Sequence, residues 1–124
     1  MSRQEEELKT LLVVDDDENI RLILREEFCF AGFNVVTAID GEEGLVAFNE
    51  QNIDVVILDL DMPKLTGEEV AMKLHAQAPE VPVIIYTGNS ERLEQQIGLK
   101  YDALVLKSSG IDELVAKVAE LANV

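Results

Sequence analysis

Short apolar runs alternate along the chain with longer stretches of helical periodicity. Residues 11–14, 35–37, 55–58, 83–86 and 103–106 are aliphatic or β-branched runs. The central ones lack the apolar-polar alternation of a sheet with one wet face, so they predict strands buried on both sides. Between and after them lie five helical segments. Ile20, Ile23, Leu24 and Phe28 fall at helical spacing, and Gly32 suits a left-handed cap behind them. Asp40 can cap a helix carrying Leu45 and Phe48. Thr66 and Glu69 form a capping box for one carrying Val70 and Leu74, closed by Pro79. Residues 90–98 carry only Leu93 and Ile97 as apolar anchors and are expected to be the most mobile segment. Ile111, Leu114, Val115, Val118 and Leu121 make the last and clearest stripe.

A (βα)5 alternation with short connections predicts an α/β fold, a doubly wound five-stranded parallel sheet covered by helices on both faces. Ligands of such sheets bind beyond the carboxyl ends of the strands, where the strand order reverses. That rule selects Asp15, Asp16 and Asp17 after the first strand, Asp59 and Asp61 after the third, Thr87 and Gly88 after the fourth, and Lys107 after the fifth.

Composition narrows the chemistry. The 124 residues include 25 acidic and 10 basic ones, a formal charge of −15. A chain this acidic repels nucleic-acid phosphates and anionic membrane surfaces, so neither is an expected partner. Its length suits one domain, which leaves no room for a second output domain. A hydrophobic share of 48 % argues for a packed core and against disorder. The single cysteine, Cys29, sits between Phe28 and Phe30 and is expected to be a core thiol in a reducing, cytoplasmic setting. Residues 1–9 read as an acidic extension without signal-peptide pattern, and no apolar run is long enough to span a bilayer.

If the first and third strands are neighbours, Asp15, Asp16 and Asp59 meet in one small volume, where three carboxylates cannot all stay ionised without a cation. Mg2+ prefers oxygen donors and is commonly held by one or two carboxylates plus a phosphate. With one histidine, His75, and no cluster of Cys and His, zinc does not fit. A carboxylate beside Mg2+, a hydroxyl and a lysine is the set that phosphoryl transfer to an aspartate requires. The acyl phosphate so formed could draw Thr87 and the following loop inward and bias a surface read by another protein.

The stretches LLVVDDDENIR, DVVILDLDMPKLTG, VIIYTGNS and ALVLK resemble, in order and spacing, the signature segments of the receiver domain of two-component response regulators. The resemblance covers essentially the whole chain, with 10–124 as the receiver. It implies a flavodoxin-like sheet of order 2-1-3-4-5. It also implies Asp59 as phosphoacceptor, Asp16 as a direct Mg2+ ligand, Asp15 as one acting largely through water, and Asp61 as a ligand through its backbone carbonyl. Thr87 matches the switch hydroxyl, Lys107 the phosphoryl-binding lysine and Gly67 the glycine opening the third helix. The resemblance also implies that Asp61 and Asn89 border the path of the attacking water. The implied partners are a histidine kinase or histidine phosphotransfer protein as phosphoryl source and a downstream protein target, reached by contact or onward relay.

Three features depart from that family. Ser108 follows Lys107 where proline, often with a cis bond, is usual, and a cis bond without proline costs about 3 kcal/mol or more. Leu104 stands three before the lysine, in the place of an aromatic switch residue. Lys100, Tyr101 and Asp102 replace small residues before the last strand.

Plainer readings stand beside these. An acidic run such as 15–18 commonly marks a helix N-terminus, Asp61 fits a turn before Pro63, Thr87 a strand-end hydroxyl, and Lys107 a solvated charge. Ile20 suits either the core or the docking of a kinase helix, and His75 an exposed, inert position. Two rival functions also remain. DLDMP resembles the nucleophile motif of haloacid-dehalogenase phosphatases, although here the acidic pair precedes the nucleophile and no acids directly follow Lys107. A binding module that works without phosphorylation would explain the missing proline and aromatic.

Overall fold

The computed structural model describes residues 8–88, 91 and 101–123. Five parallel strands, β1 (Thr10–Val14), β2 (Asn34–Ala38), β3 (Val55–Leu58), β4 (Val83–Thr87) and β5 (Ala103–Leu106), form one sheet of order β2-β1-β3-β4-β5. Helices α1 (Glu18–Phe30), α2 (Gly41–Glu50), α3 (Gly67–Gln77) and α4 (Ile111–Ala122) cover it. The helix expected over 90–98, and Asn89, lie outside the described residues.

Strand periodicity sorts the core into two layers. Leu11, Val13, Val55, Ile57, Ile84, Tyr86 and Val105 face Leu24 and Phe28 of α1 and Leu114, Val118 and Ala122 of α4. Leu12, Val14, Val56, Leu58, Val83 and Ile85 face Phe48 of α2 and Val70, Ala71 and Leu74 of α3. Because successive strand residues point to opposite faces, an all-apolar run is what two covered faces demand.

The helix signals act as expected. The Thr66 hydroxyl accepts the Glu69 N–H while the Glu69 carboxylate accepts the Thr66 N–H. Asp40 accepts the Glu43 N–H at 2.9 Å, and Gly32 follows α1 with φ of 97°. Cys29 corrects the sequence reading, since it is exposed. It lies one position beyond the buried Phe28 on α1, on the solvent side of the helix, and its neighbour Phe30 is 93 % exposed. Apolar neighbours in sequence are not neighbours in space on a helix. Ile20 is half-buried against the α1 and α4 core layer, and His75 is exposed as expected.

Candidate functional site

Strand register brings the acidic residues together. Val14 pairs with Leu58 across β1 and β3, and the ladder continues as the Asp59 N–H donates to the Val14 carbonyl at 3.1 Å. Asp15 donates to the Ala38 carbonyl of β2 at 3.2 Å in the same manner. The two carboxylates therefore leave adjacent strand ends side by side. One ligand oxygen each from Asp15, Asp16 and Asp59 lies within 4.8 Å of the others. Asp15 and Asp59 are buried and Asp16 is exposed, so the cluster opens to solvent on one side.

The third acid of the first run has another task. Asp17 is the N-cap of α1, its carboxylate accepting the Asn19 N–H at 2.8 Å and the Ile20 N–H at 3.3 Å. The helix-start reading is thus right for Asp17, and the site reading fits Asp15 and Asp16. Asp15 is held from two sides: its Oδ1 accepts the Asp17 N–H at 2.9 Å, and its carbonyl accepts from Arg21 Nη1 at 2.8 Å. Arg21, six residues on along the first turns of α1, is a site contact that sequence reasoning missed, because its reach back to the Asp15 carbonyl is set by the fold and not by a local pattern.

Behind Asp59, Leu60 and Met62 are buried in the α2 and α3 core layer and anchor the loop. Asp61 is exposed, outside the carboxylate cluster, and its backbone N–H hydrogen-bonds the Asp59 carboxylate. Gly67 makes this loop possible. A Cβ there would stand 2.3 Å from the Asp59 carbonyl oxygen and 2.6 Å from the Leu60 Cα, and the Gly67 N–H donates to the Leu60 carbonyl at 3.1 Å. Glycine is required by close backbone approach.

Lys107 enters from the end of β5, where Thr87 pairs with Leu106 in the register. Its Nζ lies 2.9 Å from Asp15 Oδ2 and 3.5 Å from Asp59 Oδ2. It opens a short 3-10 turn, Lys107–Ser109, and no cis peptide bond occurs among the described residues. With Ser108 in place of proline the chain turns by this route. Thr87 is fully buried at the end of β4, and Leu104 is 37 % exposed on β5.

The electrostatics follow from the crowding. Burial and the neighbouring Asp15 charge push the Asp59 carboxyl up to about 6, against the opposing pull of Lys107 and the Asp61 N–H. Burial favours the neutral amine of Lys107, but the hydrogen bond and charge of Asp15, with the charge of Asp59, outweigh it and hold the ammonium above its ordinary range. Three converging oxygen donors, one of them open to solvent, suit a hard, octahedral, partly hydrated ion, so this donor set fits Mg2+. The sheet order and this constellation define a receiver.

Comparison with known proteins agrees. Residues 11–119 match the family model of the response regulator receiver domain, and the chain belongs to that family. It is 35 % identical over 122 residues to the probable transcriptional regulator ycf27 of Cyanidium caldarium, covering 97 % of this chain and 49 % of that protein. The chain thus spans about half the length of the curated relatives it matches. Among solved structures, the response regulator TrrA of Thermotoga maritima in complex with Mg2+-BeF is 39 % identical with a TM-score of 0.86, covering 92 % of this chain and 99 % of that one. TrrA in complex with the histidine kinase ThkA is 38 % identical with a TM-score of 0.80, covering 92 % and 98 %.

Proposed function

We propose that this receiver takes a phosphoryl group from a phosphohistidine protein onto Asp59 and thereby changes its affinity for a protein partner. The observation that carries this reading is the approach of the Lys107 ammonium to within 3.5 Å of Asp59 Oδ2 beside the cluster of Asp15, Asp16 and Asp59. A carboxylate oxygen of Asp59 attacks phosphorus in line, the P–N bond to the donor imidazole breaks as the P–O bond forms, and the imidazole leaves with its electron pair. Lys107 moves its ammonium from Asp15 toward a phosphoryl oxygen, and the Thr87 hydroxyl donates to another. Asp15, Asp16, Asp59 and the Asp61 carbonyl would hold Mg2+, which would supply positive charge against the charge that accumulates there. Asp61 borders the approach of the water that later releases the group.

A histidine kinase as phosphoryl source is supported by the complex of TrrA with ThkA. The receiver would promote its own phosphorylation and dephosphorylation, in the cytoplasm, with 10–124 as the folded unit. The carboxyl raised to about 6 still leaves most Asp59 ionised at neutral pH, as a nucleophile needs. The test is intact mass after incubation with acetyl phosphate and Mg2+, beside Asp59→Asn. A metal-dependent gain of one phosphoryl group, absent in the variant, is expected. No gain by folded protein would defeat the proposal, and continuous phosphate release would favour a phosphatase.

A further inference from the structure

The α1 and α4 side of the sheet ends in four polar or aromatic groups that share one parity. Leu11 and Val13 are followed on that face by Asp15, Val55 and Ile57 by Asp59, and Ile84 by Tyr86, while Lys107 comes two residues after Val105, at the start of the turn that ends β5. Tyr86 pairs with Val105 across β4 and β5, and Lys107 stands two residues beyond Val105, just past the end of β5 and at the start of the 3-10 turn. Continuing the register of Leu58 with Ile85 by one residue sets Asp59 beside Tyr86 on the other flank. The tyrosine is 5 % exposed, locked among the side chains of α1 and α4. The Lys107 Nζ stands 5.9 Å from the centre of its ring.

Apart from its two carboxylate partners, Lys107 has little in the chain around it to restrain it. It starts a turn that has no side-chain cap, and Ser108, Ser109 and Gly110 after it are exposed, with Gly110 at φ of 95°. Two carboxylates at 2.9 and 3.5 Å attract the ammonium, the nearer being Asp15. The face of an aromatic ring attracts a cation within about 6 Å, and burial, with the Asp15 charge, keeps this phenol neutral against the pull of Lys107. A fixed ring therefore supports the ammonium from the core side while leaving its donors free for oxygen.

Resting on the reading of Asp59 as phosphoacceptor, we infer that Tyr86 is a positioning residue for phosphoryl transfer, its ring holding the Lys107 ammonium within reach of both Asp15 and Asp59. The ring, not the hydroxyl, does this. Removing it frees the lysine stem to sample solvent, so the transition state loses part of its charge partner while the metal ligands stay in place.

The experiment measures phosphoryl uptake from acetyl phosphate by intact mass, at saturating Mg2+, for wild type, Tyr86→Phe and Tyr86→Leu, each also in a Lys107→Ala background. Tyr86→Leu is expected to slow uptake about two- to fivefold, the range a cation-π contact of this kind supports. Tyr86→Phe keeps the wild-type rate, and Mg2+ affinity stays the same in all three. Combined with Lys107→Ala, Tyr86→Leu slows the residual reaction no further, since coupled residues are non-additive. Should Tyr86→Leu fold poorly, Tyr86→Met removes the ring with a flexible, unbranched side chain that repacks more readily. Equal rates for wild type and the ringless variants would overturn the inference, as would an equal slowing in the Lys107→Ala background, which would mark a packing effect. A wild type that gains no phosphoryl group overturns the reading of Asp59 first and this inference with it. A phosphorylated wild type indifferent to Tyr86 overturns this inference alone.

Discussion

The carboxylates of the site face different fates because their solvent exposure differs. Asp16 is exposed, so Asp16→Ala should leave the metal-free fold as stable as wild type yet remove most Mg2+ affinity. Wild type at Mg2+ near 100 times its Kd should gain about 2.7 kcal/mol, and the variant should gain almost none, as read by chemical denaturation with and without the ion. Asp59 carries a stability cost of its own. Its carboxyl is raised from 3.8 to about 6, so the folded state binds the proton more tightly than the unfolded chain. Without metal, the contribution of Asp59 to stability should therefore rise as pH falls from 7 through about 6 toward 4. Asp59→Asn should be more stable than wild type at pH 7 in EDTA, with the difference shrinking over that window. An advantage that instead grows on acidification would show that Lys107 already compensates the buried charge.

The decisive contacts between elements are made by backbone. Gly67 opens α3 against the Asp59 carbonyl, and its absent Cβ would be 2.3 Å away. Gly67→Ala should destabilise the fold by about 1–3 kcal/mol, as overpacking does, and should slow phosphoryl uptake because the acceptor strand end is displaced; denaturation and intact mass check the two effects. Asp54 and Asp102 form a second, repeated device that periodicity does not show. Asp54 accepts the Thr10 N–H at 2.8 Å and Asp102 the Val83 N–H at 2.7 Å, each from the neighbouring strand. Asp102, read in the sequence as a departure before β5, thus joins β5 to β4. Asp102→Ala should cost about 1–3 kcal/mol by leaving a partly buried N–H without its acceptor, measurable by urea denaturation.

At the scale of the whole molecule, a formal charge of −15 opposes compaction. Raising ionic strength from about 0.01 to 0.15 M shortens the screening length from about 30 to 8 Å. The melting temperature in EDTA should rise across that range, and a flat response would locate the acidic groups too far apart to repel. Much of this molecule was legible along its sequence. The apolar runs give β1 to β5, the capping residues Asp40 and Thr66 start α2 and α3, and the strand ends name Asp15, Asp16, Asp59, Thr87 and Lys107. These follow from local rules, because periodicity, capping and turn chemistry act within a few residues. Strand order came from resemblance, since pairing β1 with β3 joins residues distant in sequence. Tertiary structure alone decided that Asp17 caps while Asp15 and Asp16 face Asp59, that Arg21 reaches back to Asp15, that Cys29 is exposed, and that Tyr86 lies under Lys107. Each depends on which face an element turns toward its neighbour, and that orientation is chosen by packing across the sheet.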